Sequence, residues 1–145
     1  MAVNLGPMET NLGFQIHLSW RAVRKRMLKR ERRSGTSPAR GAYSIPILIK
    51  LNPGISKGEL AHALFLDASN VFVMIKDLES SGWVEQIPSP SDRRKIGLHL
   101  TEKGKDLADE AEVKSATLES TLSSALDPKE QLQLVRLLVK FQQNL

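Results

Sequence analysis

The charged side chains in the middle of this chain favour binding of a polyanion over catalysis. Residues 92–95 read DRRK and stand between two strand-like runs, Trp83–Ile87 and Ile96–Leu100, which predict a two-stranded hairpin with a basic tip. An arginine at such a tip can enter the narrow groove of a DNA duplex, where the negative potential is strongest. Its planar guanidinium can bond sugar and base acceptors together, which the ammonium of a lysine does less well.

Two short helices are predicted immediately before this hairpin. Ser56 and Glu59 have the spacing of a capping box, and Asp67 is placed to cap a second helix that ends near Gly82. Two helices joined by a tight turn and followed by a hairpin form a winged helix-turn-helix. The second helix of such a motif fits the major groove of DNA, which is about 12 Å wide and displays distinguishable base edges.

Amphipathic helices are predicted on both sides of this motif. Asn11–Arg33 forms the first, and Ala39–Leu51 the second, which Pro46 should kink or shorten. Thr101 caps a long helix, and Asp127 begins a last one with Pro128 and Glu130 in capping positions. The first helix and the two helices that begin after Thr101 and Asp127 are too apolar to stand alone, so we expect them to pair with a second copy of the chain.

The predicted fold is therefore mainly α with a small β-hairpin wing. We expect a single compact protein in which the winged helix-turn-helix DNA-binding domain is flanked by N- and C-terminal dimerisation helices. The divisions are a flexible arm at 1–10, the DNA-binding domain at 39–100, and dimerisation helices at 11–38 and 101–145.

Composition limits the remaining classes. The 145 residues carry a formal net charge of +5, and the 41% of hydrophobic residues is enough for a folded core. The absence of cysteine excludes disulfides and thiolate metal sites, and no secretory signal or membrane span is evident. We expect a cytoplasmic protein that needs no cofactor and has no membrane partner.

Residues 54–107 resemble the MarR family of bacterial regulators. The matching segments are GISKGELAHAL, LDASNVFVMIKDLESSGWVEQIPSPSDRRK and LHLTEKGKDL, in family order and spacing. The resemblance implies a homodimer whose paired helices read successive major grooves of a pseudo-palindromic operator in double-stranded DNA. It also implies that Asp92 orients the wing arginines and that Arg94 enters the minor groove.

The predicted recognition helix departs from the usual family pattern. Ala68, Phe72 and Val73 stand where polar or basic residues are common, and Phe65 stands where the turn often has glycine. Phe72 therefore either touches a thymine methyl or serves only in packing. The predicted DNA-binding residues are Ser69, Asn70, Phe72, Val73, Lys76, Asp92, Arg93, Arg94 and Lys95; alternatively, the polar ones are ordinary exposed residues of a helix and a turn.

The resemblance also implies a small aromatic or anionic effector bound between the dimerisation helices and the DNA-binding lobe. An aromatic shelf beside an arginine suits a phenolic carboxylate. The predicted lining is His17, Trp20, Arg21, Arg40, Tyr43 and Ser44, although Trp20, Tyr43 and His17 are also explained as core residues.

Eight basic residues and one acid lie between Arg21 and Arg33. This run is a solvated helix face, an extra set of phosphate contacts, or a site for the phosphates of a coenzyme A thioester. The thioester is attractive because the segments around SPARGAYSIPILIKLNPGIS resemble the branch of the family that controls phenolic and hydroxycinnamate catabolism. We therefore expect a repressor released by a small aromatic carboxylate or its acyl-CoA.

No enzyme is predicted, because His17, His62 and His99 lack metal-ligand spacing and no nucleophile or phosphate-loop motif occurs. Two other functions stay open. One is that the winged helix is a protein–protein interaction module, and the other is that it binds DNA architecturally, without regard to sequence.

Overall fold

The computed structural model describes residues 3–34, 44–90 and 95–145 of the chain. It confirms the predicted class, which is mainly helical with one antiparallel hairpin. The predictions for 35–43 and 91–94 lie outside the described residues. In order, the elements are a 3-10 helix Gly6–Thr10, α1 Leu12–Ser34, α2 Ser44–Leu51, α3 Lys57–Ala63, α4 Ala68–Ser80, β1 Val84–Pro88, β2 Ile96–Leu100, α5 Glu102–Ser123 and α6 Pro128–Gln142.

The chain divides into two compact units, a terminal unit of residues 1–37 and 122–145 and a central unit of residues 38–121. In the terminal unit, Asn11 caps α1, because its side-chain oxygen accepts from the Phe14 N–H at 2.9 Å. The side-chain amide of Gln15 donates to the Glu9 carbonyl at 2.8 Å. Part of the arm predicted to be flexible is therefore ordered, since Gly6–Thr10 is a helix tied to the first turn of α1.

Helix α6 begins with the predicted capping box. The carboxylate of Asp127 accepts from the backbone N–H groups of Lys129 and Glu130, and the Glu130 carboxylate accepts from the Asp127 N–H at 2.9 Å. No residue of α6 is buried within its own chain. Its exposed apolar side chains are Leu132, Leu134, Val135, Leu137, Leu138, Val139 and Phe141.

Each element of the central unit that precedes α5 contributes to one hydrophobic core. The buried side chains at its centre are Ile45 and Ile49 of α2, Leu60 of α3, and Ile75 of α4. Pro46 is the third residue of the described part of α2 and is buried with Ile45 and Ile49, while the part of the predicted helix before Ser44 lies outside the described residues. The remaining members of the core are Ala61, Val71, Leu78, Val84 and Leu98.

The hairpin has Val84 paired with Leu100 at its base and Pro88 paired with Ile96 at its far end. The first strand therefore lies one residue later than predicted. A third segment joins the hairpin, because Ile55 forms a bridge with Leu98, and the Gly54 N–H donates to the Leu98 carbonyl at 2.9 Å. A Cβ added at Gly97 would lie 2.7 Å from Gly54 Cα, so this close approach of backbones requires glycine.

The end of α4, the start of β1 and the start of α5 meet at one junction. Thr101 makes the predicted cap, accepting from the Gly104 N–H at 3.0 Å, and its hydroxyl also donates to the Gly82 carbonyl at 2.7 Å. The Lys103 ammonium donates to the Ser81 carbonyl at 2.9 Å. A Cβ at Gly104 would lie 1.9 Å from the Trp83 carbonyl oxygen, so only glycine fits in this first turn of α5.

A cluster of charges joins α2 to α5. The Lys50 ammonium lies 2.7 Å from an Asp109 oxygen and 2.9 Å from a Glu112 oxygen. The hydrogen bonds to these two carboxylates raise the pKa of Lys50, so it stays charged throughout the physiological range. The sequence analysis did not single out this pair of contacts.

We expect Gly104→Ala to lower the free energy of unfolding by about 3 kcal/mol, because a methyl group cannot occupy the space held by the Trp83 carbonyl. The measurement is urea unfolding at fixed protein concentration. Gly58→Ala is the matched control, since the nearest atom to its added Cβ is Ser56 Oγ at 3.9 Å and alanine favours a helix. Equal stability of the two variants would contradict the packing described at the junction.

Candidate nucleic-acid interface

Helices α3 and α4 meet at 117°, separated by residues 64–67. An angle near this value and a turn of three or four residues are typical of a helix-turn-helix. Ser56 and Glu59 form the predicted capping box at the start of α3. Asp67 occupies the N-cap of α4 in an extended conformation, but its side chain makes no capping hydrogen bond, so that part of the prediction is wrong.

The two helices end in the same backbone motif with different residues. At the end of α4 the Gly82 and Trp83 N–H groups donate to the Glu79 and Leu78 carbonyls, and Gly82 has a φ of 71°. At the end of α3 the Phe65 and Leu66 N–H groups donate to the His62 and Ala61 carbonyls, and Phe65 has a φ of 52°. Phe65 therefore occupies the left-handed position for which glycine is usual, as the sequence indicated.

One side of α4 is buried and the other faces solvent. Val71, Ile75 and Leu78 pack into the core of the central unit. The predicted recognition residues all lie on the solvent side, which leaves them accessible to a groove. They are Ser69, Asn70, Phe72, Val73 and Lys76.

Phe72 is not a core residue, because 54% of it is exposed. Its ring contacts Lys57 of α3, whose ammonium lies 5.2 Å from the ring centroid. Sequence reasoning missed Lys57. Its position was the available signal, because Lys57 is the first residue of α3 and a cation there is opposed by the helix dipole. A lysine at such a position indicates that its side chain has a partner outside the helix.

The hairpin places Lys95 beside the start of α3. The Ser89 N–H donates to the Lys95 carbonyl at 2.7 Å, and the Lys95 side chain is exposed. Hydrogen bonds from Ser56 hold the pKa of Glu59 below its ordinary value, and the charge of Lys95 adds a smaller effect in the same direction. Asp92, Arg93 and Arg94 lie outside the described residues, so their roles stay predictions.

The predicted effector residues are divided between the units. His17, Trp20 and Arg21 lie on α1 in the terminal unit, and Ser44 begins the described part of α2 in the central unit. The interpretation of Trp20 as a core residue of its own chain is wrong, since it is 57% exposed. Arg40 and Tyr43 lie outside the described residues, and the effector site stays a prediction.

The basic run of α1 is solvent-facing where its side chains are described. Arg21, Arg24, Lys25 and Arg26 are all exposed. They are available for anion contacts.

Across 3–34, 44–90 and 95–145, no group of three or more histidine or acidic side chains is placed to hold a metal ion. In those ranges no single helix is long and apolar enough to cross a membrane, although the bent pair α3 and α4 meets the criteria by length and composition alone.

Comparison with known proteins gives one family. The model of the MarR family matches residues 42–96. A curated relative, the putative transcriptional regulatory protein for the hcr operon of Thauera aromatica, is 32% identical over 100 residues, which cover 68% of this chain and 59% of that protein. The chain thus spans less than two thirds of the length of this relative. It spans 46% and 53% of the lengths of two other curated relatives.

Solved structures match over nearly the full length. The transcriptional repressor CouR bound to a 23-mer DNA duplex has a TM-score of 0.83 and 26% identity, with 98% of this chain and 99% of that chain covered. CouR bound to p-coumaroyl-CoA has a TM-score of 0.80 and 25% identity, with 99% and 100% covered.

Proposed function

We propose that this chain, which belongs to the MarR family, is a DNA-binding transcriptional regulator that acts as a homodimer in the bacterial cytoplasm. The observation that carries the proposal is the helix-turn-helix of α3 and α4, with the exposed side of α4 and the wing on the same central unit. In this proposal residues 39–100 bind DNA, and the helices of 11–38 and 101–145 hold two copies together.

Recognition combines two kinds of contact. Helix α4 enters the major groove with Ser69, Asn70 and Val73, while Lys76 and Lys95 contact phosphates. The wing adds Arg94 in the minor groove, held by Asp92, with Arg93 beside it. The sense of regulation that we propose is repression, as in CouR, which is described as a transcriptional repressor.

Dimerisation is supported by the uncovered apolar residues of α6. Seven apolar side chains of this helix are exposed in a single chain, among them Leu132 at 72% and Leu137 at 54%. Exposed apolar residues in this number on one helix are typical of an interface. A second copy of the same helix offers a matching surface, and two-fold pairing suits a pseudo-palindromic operator.

The effector that we propose is an aromatic carboxylate or its coenzyme A thioester. The support is that CouR, a structural neighbour, has been solved with p-coumaroyl-CoA, together with the exposed Trp20 and the cations of α1. In this proposal Trp20 contacts the aromatic group and Arg21 pairs with a carboxylate or phosphate, with His17, Arg40, Tyr43 and Ser44 nearby. Binding would weaken the affinity for DNA.

Two other functions make different predictions for DNA binding. A protein–protein module would show no salt-dependent affinity for any duplex. An architectural binder would hold unrelated duplexes as tightly as the operator. A sequence-specific regulator that contacts six or more phosphates should lose orders of magnitude in affinity between about 50 and 200 mM salt.

We expect Arg94→Ala to weaken operator binding by about tenfold or more, because the guanidinium is lost from the minor groove. The measurement is a mobility shift with DNA from upstream of the protein's own gene, against unrelated DNA at the same salt concentration. Arg136→Ala removes the same charge from α6 and should bind normally. An Arg94→Ala affinity within twofold of the wild type would contradict the assignment of the wing.

Leu138→Asp should convert the dimer to a monomer, since it would bury an unpaired carboxylate in an apolar interface. Sedimentation equilibrium measures the change. Ile87→Asp is a matched control, because Ile87 is 41% exposed and Leu138 is 38% exposed, yet Ile87 lies on the wing. Dimers of equal stability for both variants would contradict an interface at α6.

p-Coumarate or p-coumaroyl-CoA should bind the dimer and release it from operator DNA, with Arg21→Ala lowering the affinity about tenfold through loss of a charge-assisted hydrogen bond. Calorimetry measures binding, with free coenzyme A as the control. Lys140→Ala, a change of charge on α6, should leave the affinity unaltered. If neither compound bound at millimolar concentration, this effector class would be wrong.

A further inference from the structure

The solvent side of α4 carries an apolar surface that the fold does not need. Phe72 is 54% exposed and Val73 is 57% exposed, although the same helix supplies Val71, Ile75 and Leu78 to the core. Leaving a phenyl ring in water has a cost in free energy that a polar side chain would avoid. Burial within this chain therefore does not explain Phe72.

Lys57 is placed to hold this ring. Its ammonium lies 5.2 Å from the Phe72 centroid, within the range of a cation–π contact, and it comes from a different helix. As the first residue of α3, Lys57 faces the positive end of the helix dipole, so its position is unfavourable for α3 itself. The contact joins the start of α3 to the exposed side of α4 and restricts the rotation of the ring.

The charges around this surface favour a nucleic acid as the occupant. Lys57 lies against the ring, Lys76 is exposed one turn further along α4, and Lys95 lies near Glu59 of α3. Positive charge around an apolar centre suits phosphates around a base edge. In the major groove the apolar group that base edges offer is the C5-methyl of thymine.

We propose that Phe72, held by Lys57, reads the C5-methyl group of one thymine in each half of the operator. Specificity at that position then depends on contact with a methyl group and does not require a hydrogen bond. The proposal rests on the proposed function, because it needs α4 to lie in the major groove.

The test replaces thymines of the bound duplex, one position at a time, with deoxyuridine. This change removes the methyl group and keeps every hydrogen-bonding atom of the base. We expect wild-type affinity to fall about fourfold at one position of a half-site, the effect of one buried methyl group, and further when both halves are changed.

Variants of the protein identify which side chain distinguishes thymine from deoxyuridine. Phe72→Ala should bind the thymine and deoxyuridine duplexes alike, Phe72→Leu should keep part of the discrimination, and Lys57→Met should reduce it. Phe65→Ala is the matched control, because it removes an exposed phenyl ring that lies outside the proposed DNA contacts, and it should keep the discrimination. Circular dichroism of each variant checks that it is folded.

The outcomes separate this inference from the proposed function. Sequence-specific binding with no difference between thymine and deoxyuridine at any position would overturn the inference and leave the regulator intact. Discrimination retained by Phe72→Ala would also overturn it, since another group would be the reader. Absence of any sequence-specific binding, or saturable binding of a protein in place of DNA, would overturn the proposed function and this inference together.

Discussion

The junction between α4 and α5 is the constraint on which the central unit depends. One threonine, Thr101, caps α5 through the Gly104 N–H and donates its hydroxyl to the carbonyl of Gly82, just beyond the end of α4. Its own N–H donates to the Trp83 carbonyl, the oxygen that leaves no space for a side chain at Gly104. The end of α4, the first residues of the wing and the first turn of α5 therefore share one set of hydrogen bonds, and a shift in one must be followed by the others.

Much of the central unit could be predicted from the sequence because its signals are local. The capping boxes at Ser56 and Asp127, the glycine after α4 and the cap at Thr101 all follow from interactions within about four residues, and the structure contains each of them. The first strand was predicted one residue early, since Trp83 is apolar like its neighbours but belongs to the turn that closes α4. Periodicity alone does not separate a strand from the turn before it.

Contacts between distant residues could not be predicted in this way. Lys50 with Asp109 and Glu112 joins residues about sixty positions apart, and Lys57 meets Phe72 only because of the angle between α3 and α4. At Asp67 a local signal was present but only partly followed. Its type and position favour a side-chain cap, yet only its backbone adopts the capping conformation. Within the candidate site, the sequence identified which residues of α4 face solvent, and the structure added Lys57, the neighbour that contacts the ring of Phe72.

The contact between Gly54 and Gly97 has a consequence for how such a protein can change over evolutionary time. It ties the middle of the second strand of the hairpin to the chain just before α3, through the paired backbones of Ile55 and Leu98. The far end of the hairpin is closed separately, by the bond from Ser89 to Lys95. Insertions, deletions or exchanges between those two residues would leave the base of the hairpin and the helix-turn-helix unaltered. The tip is thus a replaceable module, and a lineage could change its sequence there without first having to rebuild the core.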